Sequence, residues 1–215
     1  MGHGTRILAI RHGETAWNVD TRIQGHLDIP LNDTGLQQAR WLAQALAERD
    51  APHAIYASDL SRAHVTAQTI ADAVGLSVSR HAGLRERSFG DFQGRTFAEI
   101  EAELPEHAHH WRTRTPEWAP PGDGESLIAL RERVLGTVDE LAARHVGEQI
   151  VLVAHGGVMD VLYRAATRLD LQAPRTWLLP NTAVNRLLWT PQGLSLVGWA
   201  DTSHLDDKSL DETTT

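Results

Sequence analysis

QIVLVAHGG, Gln149 to Gly157, sets how the rest of the chain is read. Ile150 to Ala154 are all apolar, with no alternation between inward and outward positions. A strand with one face in water alternates. A strand apolar throughout is buried on both faces, as in parallel sheets covered by helices on each side. RILAIRHG, Arg6 to Gly13, has the same form, an apolar strand running into arginine, histidine and glycine. Ligands of such sheets bind beyond the carboxyl ends of the strands. Two separate strands therefore deliver His12 and His155, with Arg11, to one rim.

Along the rest of the chain, strand and helix patterns alternate. Leu36, Ala39, Ala43 and Leu46 recur at helical spacing, predicting a helix over Gly35 to Arg49 with an N-cap within Asn32 to Thr34. Ala54 to Ala57 reads as a short strand. Ser61 to Val74 reads as a helix stopped by Gly75, and Leu76 to Ser79 as another strand. A polar region rich in Trp and Pro follows, residues 85–125, with one short helix expected at Thr96 to Glu103. WRTRTPEWAPPGDGES reads as an irregular loop, and Trp111 and Trp118 flank a stretch of it with the reach to fold over the site. Ser126 to His145 is an amphipathic helix, Val158 to Arg168 a further helix, and Val184 to Trp189 and Leu194 to Trp199 the last two strands. These patterns predict an α/β protein with a mainly parallel sheet. They give one domain over residues 1–200, a cap-like insertion at 85–125 and an acidic polar tail at 201–215.

Composition narrows the function. A formal net charge of −8 argues against a general nucleic-acid or anionic-membrane surface, while leaving room for a local basic pocket. With no cysteine in 215 residues, thiolate metal sites, disulfides and cysteine nucleophiles are excluded, which fits a cytoplasmic protein. No run approaches the roughly 18 apolar residues of a membrane span, and the first residues do not read as a signal peptide. His107, His109 and His110 cluster without an acidic or thiolate partner and read as a solvated face rather than a metal site.

Three further residues complete a chemical set. SDLSRAHVTAQ places Arg62 in the first turn of a helix, where free N–H groups and the dipole favour anions. Arg11 and Arg62 would clamp a phosphate through charge-assisted hydrogen bonds, with Asn18 as a neutral donor. LRERSFGDFQG places Glu86 in a glycine-containing loop. Like charge raises the proton affinity of a carboxylate beside bound phosphate, which suits a general acid. The alternative for Glu86 is a surface ion pair with Arg85 or Arg87. Gln24 joins the candidate substrate-binding residues, and Arg112 and Arg114 are candidates for a second anionic group such as a carboxylate.

In this order, RHGETAWN, SDLSRAHVTAQ, LRERSFGDFQG and VAHGG resemble the histidine phosphatase superfamily, which includes the cofactor-dependent phosphoglycerate mutases. The likeness runs over roughly residues 5–200. It implies a three-layer α/β/α sandwich. It also implies that His12 is a nucleophile that becomes phosphohistidine, that Arg11, Arg62 and His155 bind the phosphoryl group with Asn18 assisting, and that Glu86 protonates the leaving group. No metal or other cofactor is required, and the partner would be a small phosphorylated metabolite. Among oligomeric states a dimer is the expectation. Phe89, Arg95-Thr96 and His26 depart from the mutase pattern, where tyrosine, a lysine-containing segment and tryptophan are usual. Gln93 departs from the phosphatase pattern, where glutamate is typical, and ERSFG echoes the mutases. The balance favours a phosphatase. A mutase is the runner-up, and a non-catalytic phosphate-binding relative is disfavoured because every expected polar position is filled.

Overall fold

A computed structural model of the chain describes residues 4–49 and 51–209. The first half contains β1 (Thr5–Arg11), α1 (Ala16–Val19), α2 (Asp33–Arg49), β2 (Ala54–Ala57), α3 (Ser61–Val74) and β3 (Val78–Arg80). There follow α4 (Phe97–Glu103), α5 (Pro105–Arg112), α6 (Leu127–Ala143), β4 (Gln149–Ala154), α7 (Gly156–Thr167), β5 (Val184–Thr190), β6 (Gly193–Asp201) and α8 (Ser203–Ser209). The strands form one six-stranded sheet in the order β3-β2-β4-β1-β5-β6. β3, β2, β4 and β1 are mutually parallel, while β5 and β6 run antiparallel along one edge.

The missing alternation in β1 and β4 follows from the two cores. Ile7, Ala9, Ile150 and Leu152 point to one face and pack with Leu130, Val134, Val138 and Leu141 of α6 and Val158 and Leu162 of α7. Leu8, Ile10, Val151 and Val153 point to the other and pack with Leu42 and Leu46 of α2 and Ala67 and Ile70 of α3. Each central strand is thus apolar at every position because each position has a core to meet. The result is helices on both faces of a sheet.

A third, smaller cluster joins Phe92, Ile100 and Ala108 with Ile23, Phe89, Phe97, Leu104, Trp111 and Trp118. It holds the α4–α5 pair beside the carboxyl end of the sheet. Sequence periodicity predicts only α4 there. α5 escapes notice because PEHAHHWR carries few apolar residues: it buries Ala108 and half-buries Trp111. The first two residues of the expected irregular loop are therefore helical. His107 and His110 are not solvated as expected. His107 Nδ1 accepts from Trp118 Nε1 at 3.3 Å, and His110 stacks on Trp118.

The expected polar tail also begins too early. β6 extends to Asp201, and α8 follows from Ser203. His204 is buried there, with Nε2 3.2 Å from Thr182 Oγ1. Residues 210–215 of that tail lie outside the described residues. No helix among the described residues is long and apolar enough to cross a membrane.

Candidate active site

β1 and β4 are neighbours with Arg11 opposite Ala154, so the next residue of each, His12 and His155, meets at the rim. The His12 N–H donates to the Ala154 carbonyl at 3.0 Å, and the two imidazole centroids lie 5.3 Å apart. Gly13 then turns the chain under α2. A Cβ on Gly13 would meet the Gly35 carbonyl oxygen at 2.6 Å, so only glycine permits this approach. Its N–H donates to Thr66 Oγ1 at 3.1 Å, tying the loop to α3.

His12 Nδ1 donates to the Gly13 carbonyl at 2.7 Å. A carbonyl can only accept, so the proton sits on Nδ1 and Nε2 keeps its lone pair. Burial, followed by the charges of Arg11 and Arg62, holds the pKa of His12 well below its ordinary value. His155, wholly buried, is depressed in the same direction by burial and then by Arg62, His12 and Arg11. Arg62 is itself lowered to about 10, chiefly by burial. It remains a cation at neutral pH, donating to the carbonyls of Leu27 (2.8 Å) and Gly25 (2.7 Å). Four buried nitrogens in this cluster have no hydrogen-bond partner: Arg11 Nε, Arg62 Nε and both nitrogens of His155. Such clustering of unsatisfied donors and depressed imidazoles marks a site prepared for an anion.

Glu86 completes the constellation. Its Oε2 accepts from the Gly157 N–H at 3.0 Å, at the start of α7, and its Oε1 from the Arg87 N–H at 2.8 Å. A Cβ on Gly157 would meet Oε1 at 2.2 Å, which gives the second glycine of VAHGG a physical role. The flanking arginines do not pair with it. Arg85 makes a bidentate pair with Asp59 at 2.6–2.7 Å, and Arg87 donates to the carbonyls of Glu125 and Trp118. That pair, led by the Arg85 hydrogen bonds, also holds the Asp59 carboxyl below its usual range, making Asp59 a poor substitute proton donor.

The pocket encloses about 160 Å³. Arg11, His12, Arg62 and Glu86 line one part; Asn18, Arg22, Gln24, Ile23, Phe89 and Trp111 line the rest. Asn18 closes a capping box with Thr15, and its Oδ1 also accepts from Asn181 Nδ2 at 3.3 Å. With its oxygen so engaged, its amide nitrogen is the group left for a ligand. Gln24 Oε1 accepts from Thr15 Oγ1 at 2.9 Å. Arg112 and Arg114 do not join the pocket. Arg112 is exposed and pairs with Glu101, while Arg114 donates to Asp160 at 2.8 Å and to the Leu171 carbonyl. Carboxylates already in the fold satisfy both cations, which corrects the expectation that they reach a second anion. Arg22 lines the pocket instead, bonded to the Gly94 carbonyl and Glu99.

Sequence reading missed Asn181, whose Nδ2 donates to the His12 carbonyl at 2.9 Å. The one available signal is its place just before β5, whose first residue, Val184, pairs with Ile10. Gln93 does not separate phosphatase from mutase. Its Oε1 accepts from the His26 N–H at 2.8 Å, which a glutamate oxygen would do equally.

The buried histidines make stability pH-dependent. In the unfolded chain they protonate as pH falls through about 6.5; in the fold they stay neutral to lower pH. Below that point the unfolded state binds more protons. Stability should therefore be full above about pH 6.5 and fall on acidification by about 1.4 kcal/mol per pH unit for each histidine, down to its folded pKa. Denaturant melts from pH 7.5 to 5 on wild type and His155→Gln check this. A variant slope equal to the wild-type slope would contradict it.

A rim of two buried imidazoles and two arginines thus lies beyond the parallel strands of an α/β sheet. The chain belongs to the histidine phosphatase superfamily (branch 1), whose family model matches residues 7–202. It is 39% identical over 203 residues to phosphoglycerate mutase-like protein 4 of Arabidopsis thaliana, covering 94% of this chain and 87% of that protein. It is 36% identical over 202 residues to a metal-independent phosphoserine phosphatase of the same plant, covering 94% and 83%. Among solved structures, a mycobacterial glucosyl-3-phosphoglycerate phosphatase in complex with VO3 superposes with a TM-score of 0.82. It is 35% identical, and the match covers 92% of this chain and 99% of that one.

Proposed function

We propose that this protein is a metal-independent phosphatase that hydrolyses small phosphate monoesters through a phosphohistidine on His12. The observation that carries this reading is the His12 Nδ1 bond to the Gly13 carbonyl, which leaves Nε2 as the nucleophilic lone pair beside two arginines. In the first step Nε2 attacks phosphorus while the ester P–O bond breaks, and Glu86 gives its proton to the departing oxygen. In the second, water attacks phosphorus, the P–N bond breaks and the Glu86 carboxylate takes the water's proton. Arg11, Arg62 and His155, with Asn18 and Gln24, neutralise and orient the phosphoryl oxygens, the main requirement of such transfers.

The relatives named for phosphoserine and glucosyl-3-phosphoglycerate support small phosphorylated metabolites as the substrate class. The Arabidopsis relative named as a metal-independent phosphatase supports metal independence too. The α4–α5 segment, with Trp111 on the pocket wall, is read as a cap that shapes the leaving-group side. The absence of cysteine supports a cytoplasmic setting. The mutase reading draws on the relative named mutase-like.

The purified protein should release phosphate from nitrophenyl phosphate, keep this activity in EDTA and lose it to vanadate, which mimics five-coordinate phosphorus. A panel of phosphorylated metabolites, scored for free phosphate and for isomerised product, separates hydrolase from mutase. Loss of activity in EDTA, restored by a divalent ion, would reject the metal-free mechanism.

A further inference from the structure

We propose that Arg133, held by Glu125, is the positioning residue that fixes Glu86 for proton transfer; this rests on the reading of Glu86 as the proton donor. Glu86 sits on irregular chain between two single 3₁₀ turns, Ala82–Leu84 and Gly90–Phe92. No strand ladder holds it. One guanidinium does so instead. Arg133 projects from α6, and its Nη1 donates to the carbonyls of Gly83 and Arg85, both at 2.9 Å. Its Nη2 donates to the carbonyl of Glu86 itself at 3.3 Å. The remaining two donors go to Glu125, Nε to Oε1 and Nη2 to Oε2, each at 2.8 Å. The five N–H groups of an arginine thus meet five acceptors, three of them carbonyls of the segment that carries Glu86.

Glu125 brackets the other side of the same loop. Its N–H donates to the Ser88 carbonyl at 2.8 Å, and its own carbonyl accepts from Arg87 Nε at 2.7 Å. From the opposite side His26 Nε2 donates to the Glu86 carbonyl at 2.8 Å. Gly83 lies so close to α6 that a Cβ there would meet Thr137 Oγ1 at 2.1 Å, one turn on from Arg133. The backbone of Glu86 is therefore referenced to α6 and its carboxylate to the first turn of α7. General-acid catalysis depends on hydrogen-bond reach, and displacement of a reacting group by about 1 Å costs up to about 10²-fold. Lysine in place of Arg133 would keep the charge but lose the planar fork that meets the loop carbonyls and Glu125 together.

The test uses the full chain with Arg133→Lys and Glu125→Gln, alone and combined with Glu86→Gln. Single-turnover phosphorylation is measured with glycerol phosphate, a poor leaving group, and with nitrophenyl phosphate, a good one. Arg133→Lys should lower the glycerol phosphate rate by about 10²-fold, with a much smaller loss for the nitrophenyl ester and little change in substrate affinity. In the Glu86→Gln background it should add almost nothing on glycerol phosphate, because its effect passes through the missing proton donor. Glu125→Gln should show the same pattern more weakly, and serves if Arg133→Lys does not fold. Amide exchange at Gly157 should quicken in both variants as the Glu86 carboxylate loosens. Equal losses on both esters, or full additivity with Glu86→Gln, would overturn the clamp. Equal losses in Glu86→Gln alone would instead remove Glu86 as proton donor, a separate failure read from a separate variant.

Discussion

His12→Ala should lower phosphoryl transfer by about 10⁵–10⁶-fold, the scale on which an enzyme loses its attacking group, while leaving the fold intact. The side chain makes one local hydrogen bond, to the Gly13 carbonyl, and its backbone N–H bond to Ala154 is unaffected by truncation. What disappears is the Nε2 lone pair, and no neighbour replaces it. His155 is nearest, its ring centroid 5.3 Å from that of His12, but it is wholly buried and in this reading its role is to orient the phosphoryl oxygens rather than to attack phosphorus. Phosphate should still bind through Arg11 and Arg62. Single-turnover rates and phosphate-dependent thermal shifts on the same preparation would separate the two effects. A variant that retains a substantial fraction of wild-type turnover would rule out His12 as nucleophile.

Glu86→Gln has the second-largest expected effect, and its size should depend on the leaving group. Glutamine keeps the shape and still accepts one hydrogen bond from the Gly157 or Arg87 N–H, but has no transferable proton. An alkoxide departs poorly without protonation, whereas nitrophenolate departs readily as an anion. Alkyl phosphates should therefore lose about 10²–10⁴-fold in the phosphorylation step, and nitrophenyl phosphate far less. Dephosphorylation should slow for both, because the same carboxylate takes the proton from water. Measuring the phosphorylation step by rapid quench isolates the first effect. Equal losses for the two esters in that step would make Glu86 a binding or structural residue.

Local chemistry made most of this site legible in the sequence. Arg11, His12 and His155 follow apolar strands directly, and Arg62 opens a helix whose bounds, Ser61 to Val74, agree with the periodicity. The unbroken apolar runs imply a parallel sheet and one shared rim, while the direct pairing of β1 with β4 that sets His12 beside His155 appears only in the structure. What escaped depends on pairings between residues distant in sequence. Arg114 looks like a free cation until α7 brings Asp160 to it, and Arg133 is 47 positions from the Glu86 carbonyl it holds. The role of Gly157 is invisible until Glu86 is placed against it. α5 buries too few side chains for a helical stripe to show, Ala108 alone.

The proposed mechanism turns on a covalent phosphoryl group on His12. The direct measurement is rapid-quench trapping with phosphorus-labelled nitrophenyl phosphate, using Glu86→Gln to slow hydrolysis of the intermediate. A phosphoramidate to imidazole survives alkali and is lost in acid, unlike a phosphoserine. The label should be stable in alkali, released by acid, mapped to the peptide containing His12 and absent when His12→Ala is added. A label that survives acid, or that persists in the His12→Ala protein, would contradict it.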